Sequence, residues 1–84
     1  MIKNIYSIRD KFTGYMAPMV EDNDYTAMRN ITHAMKSDVM CGLNAKPSDF
    51  TLNYLGTFDT ETGEIKTVQL KIVCEISDLI INEV

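Results

Sequence analysis

Apolar and polar residues alternate from the first positions of the chain. Ile2, Tyr6 and Ile8 fall on one face, and Lys3, Ser7 and Arg9 on the other, with Ile5 joining the polar side. A period of two predicts a strand over residues 2–9, one face towards a core and the other partly covered. Residues 10–14 read as a turn in which Gly14 supplies a positive φ. Residues 15–20 are expected to pair back as a second strand. Pro18 has no N–H to donate, so this strand belongs at a sheet edge.

The period then changes. Glu21, Asp22, Asn23 and Asp24 form a helix-start signal: Asp22, Asn23 or Asp24 can cap, and the acids suit the positive end of the helix dipole. A helix is predicted over residues 25–40. Ala27, Met28, Ile31, Ala34, Met35 and Val39 make its apolar stripe, with Arg29, Asn30, His33, Lys36 and Ser37 opposite. Gly42 is the natural stop, and Pro47 forbids continuation.

Alternation returns over residues 51–58, where Leu52, Tyr54 and Phe58 share a face. Gly56 inside this run signals a bulge or a close backbone approach. Residues 59–64 read as a hairpin loop. Residues 65–76 read as a long strand with Val68, Leu70, Ile72, Cys74 and Ile76 on one face. The expected fold is therefore α+β: one domain over residues 1–84, a small antiparallel sheet in the order β-β-α-β-β packed against one helix. Residues 77–84 carry Leu79, Ile80, Ile81 and Val84, and read equally as strand, helical turn or interaction tail.

Composition agrees with a folded chain. With 84 residues, 45% hydrophobic and 24% charged, there is material for one core and not two. No stretch approaches the ~18 apolar residues of a membrane span, and residues 1–10 lack the apolar region of a signal peptide. A cytoplasmic location without membrane contact is expected, with Cys41 and Cys74 reduced. The net charge of −4 is uneven: residues 1–20 sum to +2, residues 21–42 to −2 and residues 43–84 to −4. An acidic total argues against tight nonspecific nucleic-acid binding, because phosphate neutralisation supplies most of that affinity. It leaves room for a local basic patch near the N-terminus.

Chemistry is sparse. His33 is the single histidine and has no serine, cysteine or acid at a catalytic spacing. Two thiols and one distant histidine do not make a zinc site, which wants four ligands in close pairs. Asp59, Glu61 and Glu64 lack the twelve-residue calcium pattern, and Gly63 is accounted for by the turn. No glycine-rich phosphate loop is present. The chain is accordingly expected to be no enzyme, with no cofactor and no metal. Met28 and Met35 are core by position; Met16 and Met19 form a soft apolar strand face that serves either gap-filling or partner contact.

One constellation stands out. Phe12 and Tyr15 lie beside Lys3, Arg9 and Lys11, so bases could stack on aromatics while cations track a backbone. The plain reading is a solvated strand face. The functional reading assigns single-stranded nucleic acid to Lys3, Arg9, Lys11 and Tyr15. A second expectation concerns assembly. The 65–76 strand looks longer than its partners, which leaves an apolar edge that the tail prolongs. Ile72, Ile76, Leu79, Ile80 and Ile81 are the expected interface of a homodimer or higher homo-oligomer.

Two blocks also carry a family resemblance. Tyr6-Ser7-Ile8-Arg9-Asp10-Lys11 followed by Tyr15 and Pro18 is the first. Lys46-Pro47-Ser48-Asp49-Phe50-Thr51-Leu52-Asn53-Tyr54-Leu55-Gly56-Thr57-Phe58-Asp59-Thr60-Glu61-Thr62-Gly63 is the second. Together they resemble the small nonstructural protein of gokushoviruses, which are single-stranded DNA phages of the Microviridae. Ala27-Met28-Arg29-Asn30-Ile31 is similar to that family's helix segment. The match covers roughly residues 5–65. Met19 and Ile31 stand where the family usually has Phe, and from Val68 onward no family pattern is followed.

The resemblance implies a phage nonstructural accessory protein in the host cytoplasm, acting in single-stranded DNA genome replication or packaging by binding rather than by catalysis. It brings no catalytic residues. The implied partners are single-stranded DNA and a phage replication or host protein. The rival reading is a host-directed protein-interaction module or inhibitor without DNA contact, whose acidic C-terminal half would suit a basic partner.

Overall fold

The computed structural model describes residues 1–36, 43 and 46–81. Five strands form one antiparallel sheet: β1 (Ile2–Asp10), β2 (Gly14–Tyr15), β3 (Met19–Glu21), β4 (Phe50–Asp59) and β5 (Ile65–Glu75). β1 and β4 are central. β2 and β3 both pair with the outer side of β1, and β5 pairs with the outer side of β4. Among the described residues, two helices, α1 (Asp24–Lys36) and α2 (Ile76–Ile81), and a 3-10 turn at Pro47–Asp49 join the sheet.

The α+β class and the helix packed on an antiparallel sheet are as expected. The element count differs in two places. The expected second strand is broken into β2 and β3. Arg9 pairs with Tyr15 and Tyr6 with Met19, four residues against three, so one residue is extra. Pro18 lies in that break. Met16 N–H donates to Ile8 O at 2.8 Å, and Ser7 Oγ donates to Met16 O at 2.7 Å. A side-chain hydroxyl thus replaces part of the ladder.

The second difference is the C-terminal segment. Of the three readings left open for it, residues 76–81 take the helical one, which adds an element to the expected order. From Ile76 it turns into α2 and folds back over the sheet, where Ile76 and Leu79 join Tyr6, Ile8, Ala27, Ile31, Met35, Leu43 and Leu52 in the core. The long-strand argument for an interface changes with it. β4 is itself ten residues and matches β5 from Phe58–Ile65 to Thr51–Glu75. Among the described residues the open edge is the other, outward side of β5.

α1 begins where its sequence says. Asn23 Oδ1 accepts from Thr26 N–H at 2.8 Å and from Thr26 Oγ1 at 3.0 Å. This is the N-cap, worth about 1 kcal/mol. Ala27, Ile31 and Met35 are buried, and Arg29, Asn30, His33 and Lys36 are exposed. The expected continuation through Ser37, Val39, Met40 and the Gly42 stop lies outside the described residues, as does Cys41.

Register slips shape the sheet. β4 carries one extra residue, Leu55, against β1. β5 slips twice against β4, first at Val73 and again between Lys71 and Thr67. The expectation that Val68, Leu70, Ile72, Cys74 and Ile76 share one face therefore fails. Cys74 pairs with Leu52 on the core side, Ile72 pairs with Asn53 on the other, and Ile76 has left the strand. The slip at Val73 inserts one residue into a period of two and so swaps the faces beyond it, whereas the second slip inserts two and keeps them. Gly56 sits at the second slip, where a Cβ would meet Lys66 O at 2.2 Å. Both meanings of that glycine, bulge and close approach, apply at once.

Candidate functional site

Two surfaces gather groups able to bind. The first is the β1–β2 turn. Asp10 Oδ1 accepts from Phe12 N–H at 2.9 Å, and Gly14 takes φ 100°. The turn holds Phe12 out into solvent, 81% exposed. Beside it, the Arg9 guanidinium lies 5.7 Å from the centre of the Tyr15 ring, its cross-strand neighbour. Stacking of this kind contributes about 0.5–1 kcal/mol at an exposed site and leaves the guanidinium's outer donors open. Lys11, two residues after Arg9, is exposed as well.

Lys3 is not part of this cluster. It lies six residues back along β1, roughly 20 Å away in a strand, and its Nζ is 3.0 Å from Asp22 Oδ1. Arg9, Lys11, Phe12 and Tyr15 are brought together; Lys3 is not. The electrostatics are mixed. Thr51 pairs with both Arg9 and Glu75, so the backbone of this acidic residue lies two strands from that of Arg9, about 10 Å. The local positive field is weakened accordingly.

Of the residues expected at an interface, Ile76 and Leu79 are interior to the chain's own fold. The side chain of Ile81 lies outside the described residues. Ile72, 61% exposed, and Ile80 face solvent. Ile65 and Leu70 are exposed on the same edge strand.

The second surface was missed by pattern reading. A groove of about 330 Å³ runs between α1 and α2. Its apolar wall is Met28 and Leu79, and its rim carries Tyr25, Arg29, His33 and Lys36. Tyr25, Arg29 and His33 follow one another at four-residue spacing, so they stack along one helix stripe. That signal is in the sequence. What it could not show is that α2 returns to place Leu79 against the same stripe.

α1's one carboxylate, Asp24, is turned away from this rim. Tyr6 Oη donates to Asp24 Oδ1 at 2.5 Å and accepts from Asn4 Nδ2 at 3.0 Å. Burial, and then the Asp24 acceptor, push the Tyr6 phenol up to about 12. Arg29 and His33 make no ion pair among the described residues. Cys74 is half-buried, and its thiol is pushed up to about 11 by burial and by the carboxylates of Asp78 and Glu75. It is therefore a poor nucleophile at neutral pH.

The conspicuous Asp59–Gly63 sequence is turn machinery. Asp59 Oδ1 accepts from Glu61 N–H at 2.8 Å and Thr62 N–H at 3.4 Å, and Gly63, at φ 78°, returns its N–H to Asp59 O. Those backbone donors hold the Asp59 carboxyl below the usual carboxylate range. Among the described residues no group of three or more His, Cys, Asp or Glu side chains could hold a metal, and no helix is long and apolar enough to cross a membrane.

Neither a curated protein nor a solved structure matches the chain. A family model does, across both surfaces and nearly the whole fold: over residues 3–79 the chain matches the Phage ORF5 protein family, and it belongs to that family.

Proposed function

We propose that the protein is a phage accessory factor of the gokushovirus nonstructural type, working on the single-stranded DNA genome during replication or packaging in the host cytoplasm. It acts by binding and not by catalysis. Family membership supports the phage role. The observation that carries the binding mode is the exposed cation–aromatic cluster of Arg9, Lys11, Phe12 and Tyr15. Aromatic faces accept bases without sequence preference, and the two cations neutralise few phosphates, so binding is weak and salt-sensitive. Lys3, paired with Asp22, contributes little.

The test is fluorescence anisotropy of a labelled oligothymidylate at low salt. Arg9→Glu with Lys11→Glu should weaken binding about fivefold or more while circular dichroism is unchanged. Undiminished binding by that variant would remove the cluster from the reading.

A protein-contact reading is favoured by one observation. Ile65, Leu70 and Ile72 stand exposed on β5, whose outer edge has no strand beside it among the described residues. Such edges invite pairing with another chain. A second copy, joined edge to edge about a two-fold axis, is the simplest occupant, with Ile72 and Ile80 as its remaining expected contacts. A basic host protein meeting the acidic hairpin at residues 59–64 is the alternative.

A further inference from the structure

We infer that the groove between α1 and α2 is a nucleotide site: it takes an aromatic base against Tyr25 and Met28, and a phosphate against Arg29 and His33. It shares no residue with the β1–β2 turn and goes beyond the reading built on that turn.

Four observations converge. The groove's volume, about 330 Å³, is at the lower end of small-molecule sites. Its apolar wall and polar rim have the composition of such sites. Tyr25 is 71% exposed at the groove although it is a large ring with no core role. Its cost in water is offset once a base covers it. The charged side chains on the rim are all cationic, in a chain of net charge −4, and the helix's own carboxylate is held inward by Tyr6. An Arg29 without a carboxylate partner is a ready phosphate ligand, because its planar fork donates two parallel hydrogen bonds. Arg29 and His33 are separated by about 6 Å along the helix, so one phosphate can be reached by both.

An acidic peptide would satisfy the cations but leave the ring unused, so the paired aromatic and cationic groups favour a nucleotide. The chemistry is the same in a free mononucleotide and in one unit of a single strand. The strand source alone rests on the reading above.

The experiment is a titration of the full chain, labelled with nitrogen-15, with thymidine monophosphate and with a short oligothymidylate. Amide shifts should appear on residues 25–36 and 79 with either probe, and with the oligothymidylate on residues 9–15 as well. Saturation by the monophosphate at the same concentration as the oligonucleotide identifies the free nucleotide; saturation by the oligonucleotide at much lower concentration identifies a strand. Tyr25→Ala should weaken binding about fivefold or more. Arg29→Ala should lower the log–log salt slope by about 0.7. Both side chains are exposed, so the fold survives their loss. Shifts confined to residues 9–15, equal affinity for a polyglutamate peptide, or unchanged affinity in both variants would overturn the site. The Arg9→Glu and Lys11→Glu variant separates the two surfaces: it should still bind the monophosphate in the groove.

Discussion

β1 and β5 flank the same strand, β4, and both pair with it along most of their length. Their fates are opposite. β1 has three consecutive residues fully buried, Tyr6, Ser7 and Ile8. β5 is longer, carries as rich a set of β-branched residues, and has its first eight residues exposed. Hydrophobicity does not explain the difference. β1 has strands on both sides and α1 and α2 over its Tyr6–Ile8 face. Among the described residues β5 has one neighbouring strand, and the helical layer reaches only its C-terminal end at Val73 and Cys74. Burial is a property of position in the sheet, and an apolar strand at an uncovered edge is either tolerated or used.

The comparison breaks most visibly at the shared centre. Leu52 of β4 is fully buried between the strands and the helices, and Leu52→Ala should cost about 4 kcal/mol through lost burial and the cavity left behind. Urea unfolding should read it as a fall in midpoint at constant slope. Gly56→Ala comes next. Its new Cβ would collide with backbone, Lys66 O, which cannot rotate away. The β4–β5 ladder must shift, at a cost on the order of 3 kcal/mol.

The third effect belongs to β1 alone. Folded Tyr6 holds its proton to about 12 against 10.0 for an unburied phenol. Between those values the unfolded chain binds fewer protons than the folded one. Stability is therefore complete below pH 10 and falls as pH rises towards 12, by about 2 kcal/mol. Cys74, raised from 9.0 to about 11, adds a loss of the same sign from pH 9. Unfolding measured at pH 9 and pH 11.5 should show the decline, and Tyr6→Phe should shrink it without removing it.

The smallest effect on stability is expected on β5. Ile72→Lys touches an exposed side chain, and the monomer should lose less than about 0.5 kcal/mol. Sedimentation is the informative measurement there. A shift from dimer to monomer would show that a second copy covers the edge. An unchanged monomer would show that β5 is simply tolerated, with Lys66 and Lys71 on the strand discouraging further pairing.

Much of the local structure was legible. The alternation at Ile2–Ile8, the Gly14 and Gly63 turns, the start of α1 at Asn23 and its Ala27–Ile31–Met35 stripe all depend on a few neighbouring residues. The candidate surfaces were half legible. The sequence groups Arg9, Lys11, Phe12 and Tyr15 with Lys3 because all five are near in sequence; strand geometry puts Lys3 roughly 20 Å from Arg9, and only the fold pairs Arg9 with Tyr15. The α1–α2 groove was not recognised, since its wall needs Leu79 from an element more than forty residues later in the chain.

By itself, then, the sequence determined the α+β class, the turns, the helix cap and the edge position of Pro18, because each follows from backbone limits and short-range periodicity. Tertiary structure decided the rest. It decided which side of β5 faces the core, because the one-residue slip at Val73 reverses a period-two pattern that alone cannot reveal it. It chose the helical reading of the C-terminal segment over strand and tail, because Ile76 and Leu79 had a core to enter once β1, β4 and α1 had assembled. And it separated a paired lysine from a usable cation cluster, because charge becomes a site only where the fold leaves it unpartnered and near an aromatic face.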